Sequence, residues 1–234
     1  MKADYGIDAP GVIRNLAIGA LAAALAAILA FRFHQARFAT SMIWISVFFA
    51  LEVALMLWTS LKGKRIAARQ LVDRAELDPD ARVLDVGCGR GLLLIEAAKR
   101  LKDGRAVGLD IWNAEDLSGN SPVATEANAK AEGMANRVEL VDGNAMKMPF
   151  GDGSFDAVLS SLCLHNLYKR EERAIALAEI ARVLRPGGRA LIQDFRHTAD
   201  YVETLREAGL QVERRLVNPL LMFPPTWRVL AKKK

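Results

Sequence analysis

Two long apolar stretches open this chain, and any backbone held in a non-aqueous setting must satisfy its own hydrogen bonds, which favours helix. Leu16 to Phe31 carries no charge, and Val12 and Ile13 extend it past Arg14, whose long side chain can snorkel. Phe38 to Leu61 is longer and holds one charge, Glu52. About 20 residues cross the hydrocarbon of a bilayer. Residues 12–31 and 38–61 are therefore predicted as two transmembrane helices, joined by the polar break Arg32-Phe33-His34-Gln35-Ala36-Arg37. Trp44 and Trp58 lie near the two ends of the second span, where aromatic belts form. A signal peptide is the competing reading of the first span. The two Asp ahead of it and the second span behind it argue against that.

Lys62, Lys64, Arg65 and Arg69 follow the second span, against Arg32 and Arg37 in the connecting loop. The positive-inside rule then predicts a multi-pass protein of the cell (inner) membrane, with the N-terminus and everything after residue 61 in the cytoplasm. Gly19, Ala23 and Ala27 recur every four residues, a small-residue ridge suited to packing against the second span or, as a homodimer, against a second copy. Glu52 is costly within hydrocarbon and so marks a functional candidate.

The net charge of +5 is spread over helix flanks and the tail Lys232-Lys233-Lys234, which suits a lipid bilayer surface. No basic stretch interleaves with aromatics, so no nucleic acid partner is expected. The two cysteines, Cys88 and Cys163, are far apart in apolar contexts, too few for a disulfide framework and unsuited to a metal site.

Residues 62–78 read as an amphipathic linker helix, and 79–234 as one domain. Strands are predicted at 81–86, 106–110, 137–141, 154–160, 188–194, 211–217 and 226–232, with helices at 91–101, 125–133, 171–184 and 199–208. That alternation specifies an α/β fold, a doubly wound and mostly parallel sheet. The last two strands lack a helix between them and should pair antiparallel, as an edge hairpin. After the first strand, Gly87, Gly89 and Gly91 open a helix, and small residues there let a backbone approach a phosphate or carboxylate. Asp110 ends the next strand, where an acid can take ribose hydroxyls. A nicotinamide dehydrogenase would share both features.

Four segments in order separate these readings: V-L-D-V-G-C-G-R-G (83–91), A-V-G-L-D (106–110), V-D-G-N-A-M-K-M-P-F-G-D-G-S-F-D-A-V-L-S-S (141–161) and I-A-R-V-L-R-P-G-G-R-A-L-I-Q-D (180–194). With them, the chain from about 65 to 233 resembles class I S-adenosylmethionine-dependent methyltransferases of the methyltransferase-11-like small-molecule type. The resemblance implies a seven-stranded Rossmann-like sheet, a turn at Pro186-Gly187-Gly188, and S-adenosyl-L-methionine as cofactor. It implies that Asp85, Gly87, Cys88, Gly89 and Gly91 surround the methionine part, that Asp110 holds the ribose, and that Ile111 and Trp112 flank the adenine. Asn144 and Ala145 would meet the adenine edge, and Ser160, Ser161 and Leu162 the methyl-donor end. Many relatives carry Asp where this chain has Asn144, which keeps an acceptor and adds a donor.

His165, Tyr168, Asp194 and His197 follow the fourth and fifth strands, at the sheet edge where open α/β folds bind ligands. They are the catalytic candidates, with closure of the cofactor pocket as the alternative role for His165 and Tyr168. Cys163 reads as a small core residue. Leu220 to Phe223 would form an apolar lip over the pocket or pack inward, and residues 111–122 are long enough for a lid. The sequence thus points to a membrane-anchored methyltransferase of a hydrophobic small molecule such as a lipid amine, quinone-like phenol or thiol. A soluble metabolite, with the anchor as tether, or a cofactor-binding scaffold without turnover are the alternatives.

Overall fold

The structure, a computed structural model, describes residues 2–113, 117 and 119–234. Two helices come first, α1 (Pro10–Arg32) and α2 (Ala36–Trp58), packed as an antiparallel pair. Each is long and apolar enough to cross a membrane. Ala23, Ala27 and Ala30 of α1 are buried, Gly19 sits against the Phe49 ring, and the Ser46 hydroxyl donates to the Ala20 carbonyl at 2.8 Å. The small-residue ridge thus lies in the α1–α2 contact. Around the pair, Leu21, Leu25, Trp44, Phe48 and Leu51 stand exposed, an apolar girdle.

The chain stays helical beyond α2 through one π-helical turn, Thr59–Gly63, into α3 (Lys64–Asp73). The predicted linker helix thus ends at Asp73, five residues early. Strands and helices then alternate: β1 (Arg82–Val86), α4 (Leu92–Ala98), β2 (Arg105–Asp110), α5 (Pro122–Ala131), β3 (Val138–Asp142), β4 (Phe155–Ser161), α6 (Arg170–Val183), β5 (Leu184–Asp194), α7 (Thr198–Glu207), β6 (Leu210–Leu216) and β7 (Trp227–Lys233). The sheet order is β3-β2-β1-β4-β5-β7-β6, parallel except for β7, which runs antiparallel to both neighbours. β5 begins at Leu184, straight off α6, and the turn at Pro186-Gly187-Gly188 is an excursion within the strand: Leu184 pairs with Phe155 and Arg189 with Ala157, so residues 185–188 stand opposite Asp156 alone, and Gly187 takes a positive φ.

Two apolar layers cover the sheet. Leu177, Ile180, Tyr201 and Leu205 of α6 and α7 pack on one face, against Val158 and Ile192. Leu71 of α3 and Leu94 and Ala97 of α4 pack on the other, against Val83, Leu159 and Leu191.

Candidate functional site

The carboxyl ends of β1, β2, β4 and β5 converge at one edge. After β1 the chain turns through Gly87, Gly89 and Gly91, all with positive φ. The amides of Gly87 and Cys88 both donate to the Leu109 carbonyl at the end of β2, at 2.8 and 3.2 Å. A side chain on Gly87 would collide with Cys163, and one on Gly91 would come within 2.7 Å of Thr125, so both positions need glycine for space as well as for backbone. The Thr125 hydroxyl donates to the Gly89 carbonyl at 2.6 Å, fastening α5 to this loop. Cys88 is buried against Gly108, and burial pushes its thiol up, away from the reactive thiolate.

Asp85 is buried on β1, and its Oδ2 has no hydrogen-bond partner. Burial pushes its carboxyl up to about 8; the Leu94 amide opposes that shift and the Asp110 charge adds to it. An unpaired buried carboxyl at a glycine loop is suited to receive an ammonium group, such as that of an amino-acid moiety. Asp110, by contrast, is heavily engaged. Its Oδ2 accepts the Gly89 amide at 2.7 Å, and its Oδ1 accepts the Trp112 amide at 2.7 Å and the Asn120 side chain at 3.3 Å. It clamps the glycine loop to the segment after β2.

The rim beyond β2 and β3 holds Ile111, exposed, and Trp112, whose indole N–H donates to Asp142. Asp142 pairs in register with Asp110 and escaped the sequence reading; its one signal is an acid ahead of the Gly143-Asn144 turn. Asn144 is exposed, and its Oδ1 accepts the Met146 amide at 2.8 Å, an Asx turn that leaves Ala145 partly buried on the core. Residues 114–116 and 118 of the expected lid lie outside the described residues.

On the β4–β5 side, Ser160 is fully buried and donates to the Val86 carbonyl at 2.9 Å. It ties β4 to β1, and its hydroxyl does not line the methyl-donor end as the resemblance implied. Ser161 is half-buried, and Leu162, with positive φ, donates its amide to the Gln193 carbonyl. His165 lies 2.8 Å from Asp194, Nδ1 to Oδ1, at ion-pair distance but turned off the line of a hydrogen bond. Its backbone amide donates to the Asp194 Oδ2 at 3.1 Å, and its ring stands edge-on to Phe195, with centroids 4.5 Å apart. Asp194 is 1 % exposed and also accepts the Tyr201 hydroxyl at 3.2 Å and the Phe195 amide at 2.8 Å. Tyr201 is fully buried, and burial beside Asp194 holds its phenol protonated. The sequence reading missed it because its position on α7 looks like an ordinary core aromatic.

Tyr168 and His197 do not join this group. Tyr168 is 87 % exposed, and Arg173 holds its carbonyl, not its ring. His197 is exposed, in left-handed backbone ahead of α7. The catalytic candidates thus reduce to His165 over Asp194, backed by Tyr201.

The 218–225 segment joins the same edge to the helical pair. Leu220 is 72 % exposed, whereas Met222 is buried with Ala67 and Val217, Leu162 and Leu221 packing beside them. Both readings of the lip therefore apply, each to a different residue. The Trp58 indole donates to the Leu220 carbonyl at 2.8 Å, and the Phe223 amide to the Thr59 hydroxyl at 2.9 Å.

Residues 84–192 match the family described as a methyltransferase domain. The chain is 38% identical over 133 residues to a demethylmenaquinone methyltransferase of Lactiplantibacillus plantarum, covering 56% of this chain and 52% of that protein. It is 36% identical over 153 residues to a ubiquinone/menaquinone biosynthesis C-methyltransferase, UbiE, of Dinoroseobacter shibae, covering 65% of this chain and 54% of that one. The chain thus spans little more than half the length of these relatives. Its fold is similar to the crystal structure of an S-adenosylmethionine-dependent methyltransferase from Aquifex aeolicus, with a TM-score of 0.60 at 18% identity, over 78% of this chain and 98% of that one. Residues 84–192 accordingly match a methyltransferase domain, and the fold that carries them is similar to that of the Aquifex aeolicus enzyme.

Proposed function

We propose that the protein is a membrane-anchored, S-adenosylmethionine-dependent methyltransferase whose acceptor is a hydrophobic, membrane-resident small molecule. A quinone-like phenol is the first choice, because the relatives from Lactiplantibacillus plantarum and Dinoroseobacter shibae are named for quinones. In this reading α1 and α2 cross the cell (inner) membrane and the methyltransferase domain is cytoplasmic. The observation that carries it is the docking of the helical pair. The base of the pair is seated on the 218–225 segment, at the site edge of the sheet, through Trp58 and Thr59. The apolar girdle and the site edge therefore share one side of the molecule.

S-adenosylmethionine, when bound, supplies a methyl group on a sulfonium, a good leaving group. The glycine loop, Asp85 and Asp110 would hold it, the buried unpaired Oδ2 of Asp85 facing its ammonium. Positioning and exclusion of water then supply most of the rate, with up to ~7–11 kcal/mol available from approximation. Transfer to a phenol oxygen or a ring carbon also releases a proton. His165 would accept it, with Asp194 steadying the imidazolium and Tyr201 fixing the Asp194 carboxylate.

Transfer of a radiolabelled methyl group tests this. The protein in nanodiscs is given labelled S-adenosylmethionine with total membrane lipid or, separately, with soluble extract. Label in the organic phase is expected. Label confined to the aqueous phase reduces the anchor to a tether, and no label despite cofactor binding supports a scaffold.

A further inference from the structure

Residues 3–8, ahead of α1, do not trail into solvent. They lie across the glycine loop, and one buried cation fastens them. Lys64, 8 % exposed at the start of α3, has three donors and uses all of them: on the Tyr5 carbonyl (2.8 Å), the Gly6 carbonyl (2.8 Å) and Asp8 Oδ1 (2.9 Å). The Asp8 amide adds a bond to the Ser60 hydroxyl at 3.1 Å. Arg65 donates to the Ala3 carbonyl at 3.2 Å and lies over the Tyr5 ring.

The other end of the segment reaches the glycine loop itself. The Asn128 side chain accepts the Asp4 amide at 2.8 Å and donates to the carbonyls of Asp4 at 2.7 Å and Arg90 at 2.9 Å. Asp4 pairs with the Arg90 guanidinium at 2.9 Å. Gly6 lies so close that a side chain there would stand 3.3 Å from Arg90, and Leu117 touches the spaces over both Gly6 and Gly89. The two attachments differ in kind. The Lys64 end is buried and fully satisfied, whereas at the loop end the buried Asn128 holds the Asp4 backbone and the solvent-facing Asp4 side chain adds an exposed pair, which opens at little cost.

We infer that residues 3–8 form a strap that holds the glycine loop in its binding shape and slows escape of the cofactor. Lys64 is its positioning residue at the fixed end, and the Asp4–Arg90 pair is its latch. The inference rests on the glycine loop being the cofactor site. It ties cofactor retention to the base of the helical pair, since Lys64 and Ser60 belong to the helix that continues from α2.

The test is the release rate of tritiated S-adenosylmethionine from the full chain in nanodiscs, for wild type, Lys64→Met, Asp4→Ala and the double variant. Lys64→Met, which loses three hydrogen bonds, is expected to release at least about tenfold faster, and Asp4→Ala, which loses an exposed ion pair, roughly two- to fivefold faster. The double variant should be no faster than Lys64→Met, because a strap freed at one end has no latch left to lose. A merely local structural role would instead multiply the two effects. Release at the wild-type rate in both single variants, or multiplication in the double, overturns the strap. If Lys64→Met does not fold, Asp4→Ala decides alone, faster release supporting the strap and an unchanged rate overturning it. Wild-type protein that binds no cofactor overturns the strap together with the proposed function, and so is distinguishable from failure of the strap alone.

Discussion

Asp85 and Asp110 lie on neighbouring strands, yet their surroundings differ. Asp110 receives three N–H donors. Asp85 is buried with one oxygen unpaired, and its pKa rises to about 8 from the ordinary carboxyl value of 3.8. A folded pKa above the unfolded one means that ionisation opposes folding. The contribution of Asp85 to stability is therefore full below about pH 4 and is lost as pH rises toward 8. In cofactor-free protein, Asp85→Asn should gain on wild type steadily across that window, read by urea unfolding at fixed ionic strength. A constant gap would mean that Asp85 titrates as an ordinary carboxyl. A second contrast lies between His165 and Tyr168. His165→Ala is expected to lower turnover about 10²–10⁴-fold, the usual contribution of a positioned base. Tyr168→Phe should leave turnover unchanged, since the ring stands in solvent; equal losses in the two would return Tyr168 to the site. Both residues were equally visible in the sequence, as polar groups shortly after a strand. Only the turn held by Arg173, which takes the carbonyls of Leu167 and Tyr168, decides which one faces inward. Tyr201 was invisible for the converse reason, because α7 periodicity marks it as core and says nothing of where its hydroxyl points.

The helix running from α2 into α3 has one irregular turn, Thr59–Gly63, placed where it meets the 218–225 segment. A π turn adds a residue and so rotates α3 about the helix axis relative to α2. Gly63 is what lets this turn seat: a side chain there would run into the Leu221 carbonyl, with backbone on both sides. Gly63→Ala should therefore cost about 1–3 kcal/mol by overpacking, lowering the melting temperature by about 2–4 °C per kcal/mol. Gly11→Ala, also helical but with open space around it, serves as the control for the helix-propensity gain that any such Gly→Ala change brings. Matched melting curves for the two would show that the seat is not tight. The strands were legible because each is a short apolar run bounded by turn residues, and strand-helix alternation left one topology. The π turn was not, since periodicity tells helix from strand but not one helical winding from another. Neither was the early start of β5, where the strand begins ahead of the Pro-Gly-Gly turn instead of after it. The segment ahead of α1 was also unreadable, because Lys64 binds mostly its backbone carbonyls, which any sequence supplies.

At the scale of the whole molecule, the base of the helical pair and the turn after it are held, among the described residues, at the site edge of the sheet. Trp58 and Thr59 hold the 218–225 segment, Gly63 abuts Leu221, and Lys64 holds the segment that reaches Arg90. In the membrane-anchored reading this geometry has one consequence, that the site edge faces the bilayer and the opposite edge faces away. Leu220, exposed on the site edge, should then lie at the lipid headgroups, where an apolar side chain is stable. Asp103, exposed between α4 and β2 on the opposite edge, should lie in water. A fluorophore placed by Leu220→Cys or Asp103→Cys, in nanodiscs carrying headgroup-nitroxide lipid, reads the difference, with labelled wild type as background because Cys88 is buried and Cys163 half-buried. Strong quenching at position 220 and little at 103 is the expected pattern. Equal quenching would mean that the domain tumbles on its anchor, and a hydrophobic acceptor would then have to leave the bilayer to reach His165. Seating the domain as the attachments imply removes that step: the acceptor would pass from lipid to the edge lined by Leu220, Leu221 and Leu162 without crossing bulk water, where each buried CH₂ it carries would cost about 0.8 kcal/mol to expose.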